Sequence, residues 1–511
     1  MNRKINRRDF LKLAGLLPLS LAAEPLTRFA SSTNEKQSEQ QNVLVVVFDA
    51  FSSYNISLYG YPRETTPNIN RLSERAVRYH NHYAGGNFTT PGTASLLTGV
   101  LPWTHRAFQP AGTVTERYVN RNLFSAFKDY YPIAYSHNGW VNILLYQFLS
   151  RSDELIPRDK LLLGSDELLH ILFRNDDDIA SVSWLRDINV EEQGYAYSLF
   201  LSRLYQEYQE KKFKDLKHLF PLGLPTAGSA GSDNIFLLEN AVDYLANRLT
   251  AIPQPFVGYF HFLPPHDPYR PPTEFYKHFH NDGFKPPKKP KDIFAKRPPK
   301  DILAKRAEYD EFILYVDREF GRLYEKLESA GLLENTWLVL TSDHGELNER
   351  GITGHSTEVL YEPVIRVPLM IFEPGRKTGM DILENTSAVD VIPTLTHVTG
   401  QPFPDWVEGG IPLPPYGSGT EPTRNIFTVR ASKNGQYDPL SQASVMMVKG
   451  NHKLHYYFGY SLLPEMHQVK LFDVKADPEE LNDLSPSQKN LTDTLLDEMM
   501  AKLDEVNKPY Q

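Results

Sequence analysis

Residues 43–48 read VLVVVF and run straight into Asp49. An unbroken apolar run this rich in valine leaves no face for water, so a strand made from it must be covered on both sides. That is the condition of a parallel sheet sandwiched between helices. The pattern recurs in PFVGYFHF (255–262), which stops at Pro264-Pro265, in Trp337–Thr341, which ends just before Asp343, and in Val367–Phe372. Segments with helical spacing lie between these runs. Pro67 opens one over 67–79, and Pro91 stands in the first turn of another that continues through ASLLTG to Gly99. From 304 to 331, Tyr309, Phe312, Ile313, Val316, Phe320, Leu323, Tyr324 and Leu327 recur at helical spacing and give one apolar face; a further helix is predicted over 388–398. Alternating strands and helices predict an α/β fold built on a large, mixed, mostly parallel sheet sandwiched by helices.

The rhythm changes at residue 424. Short strands at 425–429, 443–449, 452–458 and 469–473, then a helix over 487–506, predict a smaller C-terminal antiparallel sheet with one helix. Residues 140–235 mix helical pieces with the run GLPTAGSAGSDN and read as an insertion or substrate-shaping region. The expected organisation is an export signal at 1–30, a linker at 31–41, a catalytic domain at 42–423 and a C-terminal subdomain at 424–511.

The start of the chain, MNRKINRRDFLKLAGLLPLSLAA, is basic and then apolar. Its apolar stretch of about 14 residues is short for a bilayer span. Arg7 and Arg8 before Asp9-Phe10-Leu11-Lys12 resemble a twin-arginine signal. The expectation is delivery by the twin-arginine export machinery to a periplasmic or other extracytoplasmic site, with no stable membrane span once the signal is removed; the alternative is anchorage there by an uncleaved signal. That route carries folded proteins, so a metal can be loaded before export.

With a net charge of −9, nothing points to a nucleic-acid partner, and none is expected. Removing the signal leaves the remainder more acidic still, so an anionic substrate must be gathered locally, by a metal or a basic patch. Cysteine is absent, which excludes disulfides, thiolate metal sites and cysteine nucleophiles. No G-x-S-x-G occurs, which argues against a serine hydrolase. The run 285–306 holds nine Lys or Arg against two Asp and reads either as a solvated loop or as a basic lip over a site.

In open α/β sheets, ligands collect at the carboxyl ends of strands. Asp49 ends the first strand and Asp343-His344 a later one, while Thr89-Thr90 stand at a helix N-terminus, where free N–H groups favour an anion. Adjacent side chains on a regular strand face opposite ways, so Asp343 and His344 can share one ion only if the strand breaks; Gly345 is read as supplying that freedom. Two carboxylates, an imidazole and a hydroxyl suit a divalent cation, or they cap neighbouring loops. Thr89 is a nucleophile or a helix cap.

These stretches together resemble the sulfatase branch of the alkaline phosphatase superfamily. The likeness is carried by NVLVVVFDAFSSYNISLYGYPRETTPNINRLSERAVRYHNHYA, TTPGTASLLTG, FHFLPPHDPY and SDHGE with GHSTEVLYEPVIRVPLMIFEPG, and by VDVIPTLTHVTG and KLFDVKADPEELNDLS. The resemblance implies a metal-dependent ester hydrolase with metal ligands Asp49, Thr89, Asp343 and His344 and with Thr89 as nucleophile. It implies substrate contact and leaving-group protonation by His266 and His355, and a structural role for Glu362 and Arg366. His261, on its strand, is read as packed. The family's Cys or Ser, oxidised to formylglycine, is replaced by Thr89, whose oxidation would give a ketone, and the family's nearby arginine is replaced by Thr93. Ala50 stands where a second aspartate is frequent, and His344 where asparagine is frequent. One divalent metal is therefore expected, zinc or manganese ahead of calcium or magnesium.

The expected reaction is cleavage of a phosphate mono- or diester of a small-molecule, lipid or glycan alcohol through a Thr89 intermediate. The alternatives are a sulfatase working without formylglycine, a phosphoryl or headgroup transferase, and a non-catalytic binding protein.

Overall fold

The apolar runs form the centre of an eight-stranded sheet. In the computed structural model, residues 40–150, 153–163, 211, 214, 216–227, 234–295, 301–417 and 424–511 are described. The expected export signal, most of the linker and much of 140–235 lie outside them.

The strands of the large sheet are β1 (Asn42–Phe48), β2 (Val77–Tyr83), β3 (Tyr131–Ser136), β4 (Glu154–Leu155), β5 (Phe256–Phe262), β6 (Thr336–Thr341), β9 (Leu369–Phe372) and β10 (Met380–Ser387); a small hairpin of β7 (Asn348–Glu349) and β8 (Ile352–Thr353) follows β6. Their order is β10-β2-β9-β6-β1-β5-β3-β4. β9 runs antiparallel to both its neighbours, β2 and β6; every other pair is parallel.

β1, buried along its whole length, divides two cores. Leu44, Val46 and Phe48 pack on one face with helix Ile302–Ser329, through Phe312, Ile313, Val316 and Phe320. Val43, Val45 and Val47 pack on the other with Ala94 and Leu97 of helix Thr89–Thr98, Val141 and Leu144 of helix Gly139–Phe148, and Ile392 and Leu395 of helix Val391–Val398. Helices on both faces explain why the central strands are apolar throughout rather than alternating.

One predicted helix is shorter than expected. Residues 67–79 form a helix only over Pro67–Ser73, and Val77 onwards is β2. The sequence VRYHNHY alternates, with Val77 and Tyr79 buried and Arg78 and His80 partly exposed, and that two-residue period prevails over the helical spacing before it.

The C-terminal sheet is antiparallel in the order β11 (Ile426–Arg430), β12 (Ala443–Lys449), β13 (His452–Phe458), β14 (His467–Asp473), and helix Lys489–Asn507 packs its Leu495, Met499 and Leu503 against it. A buried charge cluster ties this sheet to the main one. Lys453 Nζ lies 2.8 Å from Glu362 and 2.9 Å from Glu480, and His455 Nε2 lies 3.0 Å from Glu480. Arg366 Nε lies 3.3 Å from Glu362, which gives both residues the structural part expected of them. Among the described residues, no helix is long and apolar enough to cross a membrane.

Candidate active site

Strand register decides which side chains meet. Val47 pairs with His261 of β5 and with Thr341 of β6. Continuing the second register places Asp49 level with Asp343. Side chains at equal levels of a parallel sheet share a face, so Asp49, His261 and Asp343 point to the side on which helix Thr89–Thr98 lies. All three are fully buried or nearly so, and each offers a ligand atom within 4.8 Å of the others'.

The helix reaches them because Gly92 carries no side chain. A Cβ there would stand 2.2 Å from the carbonyl oxygen of Asp343. Phe88, not Thr89, occupies the cap position, and no side chain caps this end. Thr89 lies one residue inside the helix, with its Oγ1 3.5 Å from His344 Nε2 and 3.5 Å from Asn138 Nδ2. Thr93, one turn on, donates to Asp343 Oδ2 at 3.2 Å, so the residue at the family's arginine position holds a carboxylate.

After β6 the chain leaves the sheet, and Asp343 and His344 turn into the same space. His344 Nε2 lies 3.3 Å from Asp49 Oδ1 and 3.6 Å from Asp343 Oδ2. Gly345 makes this possible by close approach rather than by unusual dihedral angles. Its N–H donates to Val364 O at 2.6 Å, and a Cβ would stand 2.1 Å from Pro363 O. On the β1 side, Ala50 adopts a left-handed φ of 59°, a strained conformation for a residue with a side chain, held by Tyr309 Oη donating to its carbonyl at 2.6 Å.

The donor set fits a divalent cation. Among the described residues, the ion-pair partners of Asp49 and Asp343 are histidines alone. Asp49 Oδ1 accepts no hydrogen bond although it is buried. Two buried carboxylates with an orphan oxygen need positive charge. His344 Nδ1 donates to the carbonyl of Gly345 at 2.9 Å, which orients the ring and leaves Nε2 as the nitrogen that faces the carboxylates.

Charge is shared unequally in the protein alone. Burial pushes Asp49 upward, but His266, His261 and His344 converge on it and hold it well below the usual carboxylate range. Asp343 is pushed up by burial and by the charge of Asp49. Burial works against a charge on His344, yet Asp343 and Asp49 outweigh it and raise its pKa to about 9.

The two remaining catalytic assignments meet at the same place. The His355 ring lies 4.3 Å from that of His344, tilted by 37°, and 4.7 Å from that of His266. His355 is buried and lies beside the buried Glu346, with Nδ1 3.4 Å from its carboxylate; His266 is only partly buried. Asn87, two residues before Thr89, donates to the carbonyls of His355 and Thr357 at 2.9 and 2.8 Å and so fastens the His355 loop to the Thr89 helix.

Every residue that the sequence assigned to metal or catalysis (Asp49, Thr89, His266, Asp343, His344 and His355) is thus in one cluster. Two others belong to it. His261 is packed, as expected, but its Nε2 faces Asp49 Oδ2 at 3.3 Å and Asp343 Oδ2 at 3.8 Å, while Nδ1 shares a hydrogen bond with Tyr259 Oη at 2.9 Å. Asn138 follows β3, caps the next helix by accepting from Trp140 N at 2.9 Å, and donates to Asp49 Oδ2 at 2.6 Å. Its position after a strand and before a helix is the signal that would have found it.

Part of the basic run is anchored. Lys289 pairs with Glu349 and Glu479, and Arg306 with Glu349. Residues 296–300 of the run lie outside the described residues.

Known proteins resemble this chain in sequence and in fold. A choline-sulfatase of Rhizobium meliloti (strain 1021) is 27% identical over 463 residues, covering 84% of this chain and 79% of the relative. Human arylsulfatase K is 28% identical over 505 residues, covering 93% and 84%. The crystal structure of the phosphonate monoester hydrolase of Agrobacterium radiobacter superposes with a TM-score of 0.64 at 19% identity, covering 91% of this chain and 96% of that one, and shares its fold. The Sulfatase family model matches residues 41–144 and 173–401, so the chain belongs to the sulfatase family of the alkaline phosphatase superfamily and is a hydrolase.

Proposed function

We propose that the protein hydrolyses phosphate mono- or diesters of small-molecule, lipid or glycan alcohols, with Thr89 as nucleophile and one divalent cation held by Asp49, Thr89, Asp343 and His344. The observation that carries this reading is the Thr89 hydroxyl, which stands 3.5 Å from His344 Nε2 at an uncapped helix N-terminus beside two buried carboxylates. The mixed oxygen and nitrogen set favours zinc or manganese. When bound, such a cation lowers the pKa of a coordinated hydroxyl and screens charge on the ester oxygens.

The residues divide the remaining work. Asn138 aims Asp49 and Thr89 at a common point, and the free N–H groups of the helix start face the anion. A bond forms from Thr89 Oγ1 to phosphorus, and the bond from phosphorus to the leaving oxygen breaks. The hydroxyl proton passes to solvent, and His266, the more exposed of the pair, returns a proton to the leaving oxygen, with His355 held behind it by Glu346. Water then attacks phosphorus from the vacated side, and Thr89 leaves and regains its proton.

Threonine favours phosphate over sulfate. Phosphorus accepts two successive in-line displacements. A sulfated secondary alcohol has no geminal hydroxyl through which to expel sulfate by carbon–oxygen cleavage, so turnover would stall. Hydrolysis of sulfate esters is the second reading, favoured by the likeness to choline-sulfatase and arylsulfatase K. Export by the twin-arginine route, with the metal loaded beforehand, is part of the same proposal.

The test is turnover of paired aryl phosphate monoesters, diesters and aryl sulfates with manganese or zinc. Thr89→Ala is expected to abolish turnover of phosphate esters, and phosphothreonine is expected to be trapped at residue 89. Undiminished turnover by Thr89→Ala would refute the nucleophile.

A further inference from the structure

β5 is buried along its whole length, and His261 is the imidazole it carries into the interior. A histidine that only packs needs neutral partners. His105 has them: its Nε2 lies 3.1 Å from Ser95 Oγ, and its Nδ1 accepts from Ala107 N at 3.0 Å. His261 has carboxylates instead. Its Nε2 faces Asp49 Oδ2 and Asp343 Oδ2, and Asp49, His261 and Asp343 offer three donor atoms within 4.8 Å of one another. Its other nitrogen shares a hydrogen bond with Tyr259 Oη at 2.9 Å. Tyr259 comes from the same strand and is equally buried, and it holds the ring with Nε2 towards the acids. A partner of this kind behind the ring is what orients a metal-binding imidazole.

Spacing separates a ligand from a hydrogen-bonded pair. A charge-assisted N–H···O bond settles at about 2.7–2.9 Å, and away from the site the buried pair His455–Glu480 closes to 3.0 Å. Two donors bonded to one zinc-sized ion at about 2.0–2.1 Å stand about 3.3–3.4 Å apart in a tetrahedron and about 3.6 Å apart at 120°. His261 lies 3.3 Å from Asp49 and 3.8 Å from Asp343, and His344 lies 3.3 and 3.6 Å from the same two residues. The two imidazoles therefore stand alike. They address opposite oxygens of Asp49 and one shared oxygen of Asp343, at spacings longer than hydrogen bonds and close to those of co-ligands. The site is also short of a donor. Ala50, where a second aspartate is frequent in the family, offers none, and β5 is the strand paired with β1 just before it.

We propose that His261 is itself a ligand of the divalent cation, supplying from β5 the donor that Ala50 lacks, so that two imidazoles join Asp49, Asp343 and Thr89 in the set. The proposal rests on the metal-site reading above and adds to it a residue that the sequence treats as packing. Two imidazoles favour zinc over magnesium or calcium. The test is X-ray absorption of the full chain loaded with zinc, in which scattering from the imidazole rings counts the coordinated histidines, together with zinc affinity measured by competition with a chromophoric chelator. Wild type should show two imidazoles. His261→Gln should show one and bind zinc about 100-fold more weakly, and His344→Gln should do the same. Tyr259→Phe, which keeps the histidine and removes only the hydroxyl behind it, should keep both imidazoles and bind zinc about 10-fold more weakly. A wild-type count of one overturns the proposal, and so does a count of two that His261→Gln leaves unchanged. If His261→Gln does not fold, the wild-type count and Tyr259→Phe decide, and undiminished zinc affinity in Tyr259→Phe then overturns it. Zinc affinity lost in His344→Gln but kept in His261→Gln defeats this inference alone, whereas affinity kept in both defeats the metal site on which it rests.

Discussion

Replacing Gly92 by alanine tests whether the helix start and Asp343 must touch. The added Cβ would stand 2.2 Å from the Asp343 carbonyl oxygen and 3.0 Å from its carbonyl carbon. A carbon and an oxygen settle at about 3.2 Å or more, so the two backbones must part by about 1 Å. Both sides are backbone, and neither can turn away as a flexible side chain would. The displacement falls between Thr89 on the helix and Asp343 beyond β6, the two groups proposed to share one cation. A misplacement of about 1 Å can reduce turnover about 100-fold, and overpacking of this kind destabilises by about 1–3 kcal/mol. Gly92→Ala is therefore expected to fold, to melt slightly early and to lose about two orders of magnitude in kcat, with weakened metal affinity. Gly139→Ala is the control, because its Cβ would meet only the Arg158 side chain at 3.5 Å. The assays are aryl phosphate turnover, metal titration and thermal melting of both variants. A Gly92→Ala protein with kcat within about threefold of wild type would refute the reasoning, since about 1 Å of separation would then be harmless.

Chelation should reverse the ranking of Asp343→Asn. Asp49 and Asp343 lie within 4.8 Å in the interior, where like charges repel by about 3 kcal/mol at an effective dielectric of about 20. With protonated His344 offsetting part of this, Asp343→Asn should be about 1–2 kcal/mol more stable than wild type in chelator and less stable with metal, as read by denaturant unfolding. The same metal-free protein should lose stability at alkaline pH. The folded pKa of His344, about 9, lies above its ordinary 6.5, so its contribution, on the order of 3 kcal/mol, is complete below about pH 6.5 and disappears as pH rises through 9. Metal should flatten that dependence, and a flat profile in chelator would contradict the charge assignment. Asn138→Asp should keep the helix cap at Trp140 yet lose activity, because a third carboxylate would face Asp49 where an amide now donates at 2.6 Å.

How much of this was legible depends on how local the signal is. Asp49 and Asp343 could be read because each follows an apolar run that ends at a strand terminus, and Thr89 because Pro91 and Gly99 bracket its helix. His344 needed only adjacency to Asp343. Asn138 was hidden because β3, YPIAYS, is short and opens with a half-exposed Tyr-Pro pair, so no apolar run announces its end. β2 was hidden by arginine and histidine on its solvated side, where helical and strand periods compete over a few residues. Gly92 and Gly345 are visible as glycines, but the sequence suggests freedom where the structure requires only the absence of a Cβ.

His261 marks the deeper limit. Each residue of β5 is buried, so burial cannot say which way the histidine points. Its facing follows from register. Val47 pairs with both His261 and Thr341, so partners on β1, β5 and β6 differ in number by even amounts, and Asp49, His261 and Asp343, all odd, share a face. A shift of β5 by one residue would have sent His261 to the opposite core, on the side of Phe48, and left the carboxylates with one histidine fewer. That register is a property of two strands more than two hundred residues apart, fixed by how two cores pack, and no window of the chain around residue 261 contains it.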